Sequence, residues 1–212
     1  KYTISMVTLI FEGPDNLGKS TIINKIVSNF KDTRDICMMH SRGPQNLDGE
    51  DPFIHQTNVF REKATKLLML SSSEINLKTC PNNIVILDRA WYGEYVYGQI
   101  YRNADPTRVL DMINTCNLML SATVFVVIQL TASPEFIVSH DDGLSFTSDL
   151  QKEERLTKVT REIELFDECF EKMQGGKHII KVNVEGDNLN YRNIEDIYNE
   201  IISKLDKMGI TL

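Results

Sequence analysis

The stretch Gly13-Pro14-Asp15-Asn16-Leu17-Gly18-Lys19-Ser20 decides the fold. It fits G-x-x-x-x-G-K-[ST], the spacing of a loop whose backbone N–H groups face a phosphate. The apolar run Val7-Thr8-Leu9-Ile10-Phe11 before it predicts a buried strand. After it, Ile22, Ile23, Ile26 and Val27 recur at helical spacing between Lys19 and Phe30. Strand, glycine loop and helix N-terminus together make an anion site, because the orphan N–H groups and the helix dipole both favour negative charge. Lys19 is placed to reach the outer phosphates of a nucleotide, and the Ser20 hydroxyl to bind Mg²⁺.

Outward from this loop, apolar runs alternate with helical patterns, which predicts βαβ units and a parallel sheet. Strands are expected at about Val7–Phe11, Asp35–His40, Asn83–Asp88, Thr123–Leu130 and His178–Val184. Helices are expected at about Ile54–Leu77, Trp91–Asn103, Thr107–Ser121, Leu150–Met173 and Ile194–Met208. The reading is a three-layer α/β/α fold with a five-stranded parallel sheet, one domain over residues 1–212, and a short lid at about 131–148.

The 212 residues suffice for one such core. With 23 basic and 30 acidic residues the net charge is −7, which argues against broad binding to nucleic acid. No apolar run is long enough to span a bilayer. Lys1-Tyr2-Thr3-Ile4-Ser5 leads straight into the first strand, so no signal peptide is expected. Cys37, Cys80, Cys116 and Cys169 lack metal-ligand spacing and read as reduced thiols of a cytoplasmic protein.

Ligands of open α/β sheets bind beyond the carboxyl ends of the strands. Four segments lie there: the glycine loop, His40–Pro44, Asp88-Arg89 and the polar stretch after Leu130. Asp88-Arg89 is either a structural ion pair or a site, and its place at the sheet edge favours the site. Asp88 could hold a metal-bound water and Arg89 could grip a phosphate bidentately. Arg42 could reach a substrate phosphate, whereas His40 could simply end its strand. Between Ala90 and Arg102 lie Trp91, Tyr92, Tyr95, Tyr97 and Tyr101. Trp91, Tyr95 and Tyr97 cannot share one helix face, so some are core. The others could form a stacking wall for a base, with Glu94 and Arg102 as polar contacts. The loop holding Asp141 and Asp142 is either a surface loop or a cover that excludes water. After it, Lys152, Arg155, Lys158 and Arg161 either face a phosphate or pair with neighbouring glutamates such as Glu162 and Glu164.

These residues resemble the thymidylate kinase family. Glu12 to Thr21 is similar to its E-G-x-D-G-x-G-K-[ST]-T loop, with Asn16 in place of a glycine. Asp88-Arg89 with Val96-Tyr97-Gly98 resembles its D-R-Y-x-x-S-x-x-A-Y-Q. The likeness is closer to bacteriophage thymidylate-kinase-like proteins, which carry H-x-G-P-P and D-R-x-x-x-x-E-x-V-Y-G. The resemblance implies ATP and Mg²⁺ as cofactors, with Gly13, Asn16, Leu17, Gly18, Lys19, Ser20 and Thr21 around the ATP and Ser20 and Asp88 at the metal. It implies Asp15 on the acceptor sugar 3′-hydroxyl, Arg89 on the acceptor phosphate, Tyr97 near sugar or base, and Arg42 near the acceptor loop. Trp91 and Glu94 complete the expected acceptor contacts, and Asp141, Asp142, Lys152 and Arg155 the lid. Lys19, Arg89, Asp88 and Arg42 are the expected catalytic set. A homodimer in the cytoplasm (the host's, if viral) is also implied.

The chain departs from the family in two ways. No arginine lies in the loop 14–17 or in 139–148, so either Arg89, Arg42, Lys152 or Arg155 stabilises the transferred charge or turnover is slow. Ala90, Gly93 and Gly98 replace the motif's tyrosine, serine and glutamine, so thymine specificity does not carry over. The expectation is transfer from ATP to a deoxynucleoside monophosphate, thymidylate or a modified pyrimidine analogue. The alternatives are a kinase for a hydroxymethylated pyrimidine in DNA or for a free nucleoside, and a nucleotide-binding module with little turnover.

Overall fold

The computed structural model describes residues 6–41, 43, 49–77, 83–121, 123–141, 152–173 and 178–212, the side chains of 71–77 and of residue 152 excepted. Five parallel strands form one sheet: β1 (Met6–Glu12), β2 (Asp35–His40), β3 (Asn83–Asp88), β4 (Val124–Thr131) and β5 (Ile179–Asn183), in the order β2-β3-β1-β4-β5. The helices are α1 (Lys19–Phe30), α2 (Pro52–Leu77), α3 (Gln99–Arg102), α4 (Pro106–Met119), α5 (Pro134–Ser139), α6 (Lys152–Lys172) and α7 (Ile194–Lys207).

β1 is buried along its whole length because it is central and helices cover both faces. Its alternation feeds two cores. Leu9 and Phe11 pack with Ile22 and Ile26 of α1 and with Ile197 and Ile201 of α7. Ile10 packs on the other face with Phe60 and Leu67 of α2, Ile113 of α4, and Phe166 of α6. The register aligns His40, Asp88 and Phe11 across β2, β3 and β1, and Glu12 with Gln129. The strand ends therefore meet along one edge, and the functional side chains rise from it.

Two expectations are corrected. The helix expected over Trp91–Asn103 is present from Tyr92 to Arg102, but Glu94–Gly98 within it is wound as a π-helix that continues into α3. Such wide turns are rare and concentrate at functional sites. The lid expected from about residue 131 starts too early, because Thr131 ends β4 and Pro134–Ser139 is α5. Ser133 caps α5, accepting from Phe136 N, and Phe136 and Ile137 are buried, so this part of the stretch belongs to the core. Among the described residues, no helix is long and apolar enough to cross a membrane.

Candidate active site

The glycine loop is held in a conformation few residues tolerate. Gly13 has φ +137°, and a Cβ there would lie 2.5 Å from the Leu130 carbonyl oxygen, so only glycine fits. Gly18 caps α1 in the left-handed region at φ 68°. Asn16, at φ 60°, explains how this chain dispenses with a glycine, since asparagine visits that region more readily than other side chains. Lys19 folds back, its Nζ donating to Gly13 O at 3.0 Å and Pro14 O at 2.5 Å. Burial lowers its pKa to about 8, with Asp88, Glu12 and Glu162 opposing that shift.

Beyond β3 the backbone turns sharply at Arg89, another left-handed residue, at φ 64°. Arg89 N donates to Phe11 O at 3.0 Å, which ties this turn to β1. The Arg89 side chain forms an ion pair with Asp15 of the glycine loop and lies 5.6 Å from the Tyr97 ring centre. Asp88 Oδ2 lies 3.0 Å from His40 Nδ1, so His40 has a partner at the site as well as ending its strand.

Three cavities share lining residues near this edge. A groove of about 210 Å³ is lined by Asn16, Lys19, Ser20 and Thr21 on one side and by His40, Asp88 and Arg89 on the other. A cavity of about 290 Å³ opens from its Leu17–Gly18–Thr21 end, beside Tyr191, Arg192 and Ile194. A third, of about 240 Å³, opens from its Asp15–Arg89 end toward Glu94, Tyr97, Tyr101, Arg102 and Glu162. Ser20 and Asp88 share the groove, one hydroxyl and one carboxylate. That donor set suits Mg²⁺, which keeps waters and phosphate oxygens as its other ligands. Among the described residues no cluster of three or more His, Cys, Asp or Glu could cage a metal alone.

Glu12 underlies the turn. It is wholly buried, and its Oε1 accepts from Ala90 N at 2.8 Å. Burial raises its pKa from 4.5 to about 7, and the Ala90 N–H, Arg89 and Lys19 offset that only in part. The folded protein thus holds this proton more tightly than the unfolded chain. The stabilisation is full below pH 4.5 and is lost as the pH rises to about 7, by about 3 kcal/mol. Glu12→Gln keeps the acceptor for Ala90 and removes the titration. Denaturation midpoints between pH 4 and 8 should fall more steeply for the unmodified protein than for the variant, in which Glu94 and Glu162 still titrate; parallel curves would refute this account.

The third cavity gathers part of the expected aromatic wall. Tyr97 and Tyr101 lie 6.2 Å apart, stacked, and Glu94 binds Arg102 at 2.6 Å. Glu94 Oε1, Tyr97 OH and Arg102 Nε are buried without a hydrogen-bond partner among the described residues, so unsatisfied polar atoms cluster in the side chains beside this cavity. Trp91 is a correction. It is 0% exposed, packs in the core and donates from Nε1 to Asn117 at 2.9 Å, so it presents no face to the cavity. Its place in the turn before the π-helix directs it inward.

Of the expected lid residues, Asp141 pairs with Arg155 at 3.0 Å, joining the end of α5 to α6. Asp142 and Arg42, and the side chain of Lys152, lie outside the described residues. Sequence reasoning missed two site residues. Tyr191 donates from its hydroxyl to Asn16 O at 2.7 Å and so borders the glycine loop from the β5–α7 connection. Glu162 of α6 reaches the third cavity, where Tyr101 OH donates to its Oε1 at 3.0 Å.

The sequence matches no protein-family model and no curated protein. Solved structures do match. The thymidylate kinase of Ehrlichia chaffeensis superposes with a TM-score of 0.63 at 13% identity, covering 95% of this chain and 99% of its own. The YorR protein of Bacillus subtilis, in complex with phosphorylated GDP, superposes with a TM-score of 0.58 at 20% identity, covering 94% and 97%. The fold is thymidylate-kinase-like. At these identities the likeness concerns the fold, and the thymidylate-kinase-like sheet accounts for where the glycine loop, Asp88 and Arg89 meet.

Proposed function

We propose that this chain is an ATP- and Mg²⁺-dependent kinase that passes a γ-phosphoryl group to a small nucleoside-type acceptor. One observation supports the reading: the groove containing Lys19 shares lining residues with two separate cavities, Leu17, Gly18 and Thr21 with one and Asp15 and Arg89 with the other. ATP would lie with its base by Tyr191 and Arg192, and its phosphates would draw Lys19 off the loop carbonyls. Ser20 and Asp88 would hold Mg²⁺, whose charge offsets that of the phosphates. The acceptor would lie against Tyr97 and Tyr101, its sugar hydroxyl toward Asp15. Catalysis on this reading is positioning and electrostatic stabilisation.

The acceptors in question are a deoxynucleoside monophosphate, thymidylate or a pyrimidine analogue, presenting a phosphate oxygen, and a free nucleoside, presenting a hydroxyl. A base inside DNA fits less well, since a strand blocks the sugar hydroxyl that Asp15 would meet. The purified protein should transfer label from γ-labelled ATP, with Mg²⁺, to at least one member of a panel of deoxynucleosides and their monophosphates. ATP binding without transfer to any of them would replace the kinase with a nucleotide-binding module.

A further inference from the structure

Glu162 is a buried carboxylate at the acceptor cavity that a monophosphate acceptor does not require. It is 5% exposed, and its hydrogen-bond partner among the described residues is the neutral Tyr101 hydroxyl. The other ionised groups lining this cavity already match each other, Arg89 with Asp15 and Arg102 with Glu94. Among the described lining residues, one carboxylate is therefore in excess. An incoming phosphate dianion would face that charge across a partly dry space, where like charges repel strongly. A hydroxyl would not, and it lacks something a phosphate has. A phosphate oxygen is already ionised at neutral pH, whereas an alcohol must lose a proton as it attacks.

We propose that Glu162 accepts this proton, and that the preferred acceptor is a nucleoside hydroxyl rather than a nucleoside monophosphate. The inference rests on the kinase reading above. In the step, the bond from the γ-phosphorus to the oxygen bridging it to the β-phosphate breaks. A bond forms from phosphorus to the acceptor oxygen, the hydroxyl proton passes to Glu162, and the nucleoside diphosphate leaves. Glu162 stands where this needs it. It shares the cavity with Arg89 and Asp15, and it is within electrostatic reach of Lys19, which marks the γ-phosphate end of the groove.

The groups facing Glu162 are Tyr101 from α3, Tyr97 from the π-helix, Arg89 after β3, Lys19 from α1, and Lys158 on its own helix. Burial raises its pKa above the usual carboxylate range, while the Tyr101 hydrogen bond, Arg89, Lys19 and Lys158 act against that. A raised pKa makes it a better proton acceptor near neutral pH.

The test measures transfer from ATP to a deoxynucleoside and to the matching monophosphate, across a pH series. The unmodified protein should use the nucleoside more efficiently, with activity falling on the acid side as Glu162 protonates. Glu162→Gln should lower kcat on the nucleoside by about 10²–10⁴-fold and abolish that acid limb, acting on kcat rather than on the KM for ATP. Tyr101→Phe keeps the carboxylate and removes a hydrogen bond that lowers its pKa, so the limb should move to higher pH. A merely structural role for Glu162 would leave the limb in place in both variants. Transfer to monophosphates alone, or nucleoside transfer by Glu162→Gln at close to the unmodified rate, overturns the inference and leaves the kinase reading standing. No transfer to either class overturns both.

Discussion

Replacing Lys19 should stop phosphoryl transfer while leaving the protein folded and, near neutral pH, no less stable. Its ammonium lies on two loop carbonyls, Gly13 O and Pro14 O, at the head of α1. A phosphate there would take over those contacts, because a charge-assisted bond to an anion is stronger than one to a neutral carbonyl. A preorganised cation at the transferring group is worth about 10²–10³-fold in rate by comparison with single oxyanion donors. Lys19→Met, which keeps the apolar stem, should lose that much or more in initial rate. Stability should move the other way. Burial lowers the Lys19 pKa from 10.5 to about 8, so at pH 7 the folded state carries a cation it accommodates poorly, at a cost of about 3 kcal/mol. Between pH 8 and 10.5 the unfolded chain binds the extra proton, so the unmodified protein gains stability with rising pH. Lys19→Met lacks this gain. Thermal unfolding should show the variant ahead at pH 7 and the difference shrinking by pH 10. Retained turnover would remove the loop from the chemistry.

What the sequence disclosed and what it concealed follow a physical division. Strands and helices were legible because burial on both sheet faces demands continuous apolar runs, as in Ile84-Val85-Ile86-Leu87, and because a covered helix demands 3.6-residue spacing, as at Ile22, Ile23 and Ile26. β2 and β3 have the expected limits. The glycine loop was legible because its backbone tolerates few side chains. The segment 91–102 was harder, since an aromatic side chain packs equally well in a core or a ligand wall. Which face Trp91 takes depends on the turn and π-helix, for which Glu94-Tyr95-Val96-Tyr97-Gly98 carries no periodic signal. Glu162 and Tyr191 were illegible for another reason. Glu162 is one of many carboxylates along α6, and what distinguishes it is Tyr101, 61 residues away. Tyr191 meets Asn16 across 175 residues. Local pattern reports what an element buries, and topology alone reports which elements converge.

On the proposed kinase reading Arg89 is where that convergence bears most on rate, and two substitutions there should separate its backbone role from its charge. It borders both the phosphate groove and the acceptor cavity, which makes it, among the arginines described, the one placed to meet the transferring group. Arg155, by contrast, is engaged with Asp141 at the end of α5. An arginine in that position stabilises the charge spread over the phosphoryl oxygens and is worth about 10³–10⁵-fold in rate. Arg89→Ala and Arg89→Gly should both lose activity on that scale, measured in single-turnover reactions so that product release does not mask the step. Their stabilities should differ. At φ 64° an alanine Cβ crowds the following carbonyl, so the glycine variant should be the more stable by about 1–2 kcal/mol in denaturant unfolding. The lost ion pair with Asp15 adds little, because both side chains keep substantial contact with water. Arg89→Lys should recover only part of the rate, since an ammonium lacks the planar fork that grips two oxygens together. If the glycine variant stays active while matching this stability order, the transferred charge is met by another arginine, and Arg42, which follows β2 in sequence, is the next to replace.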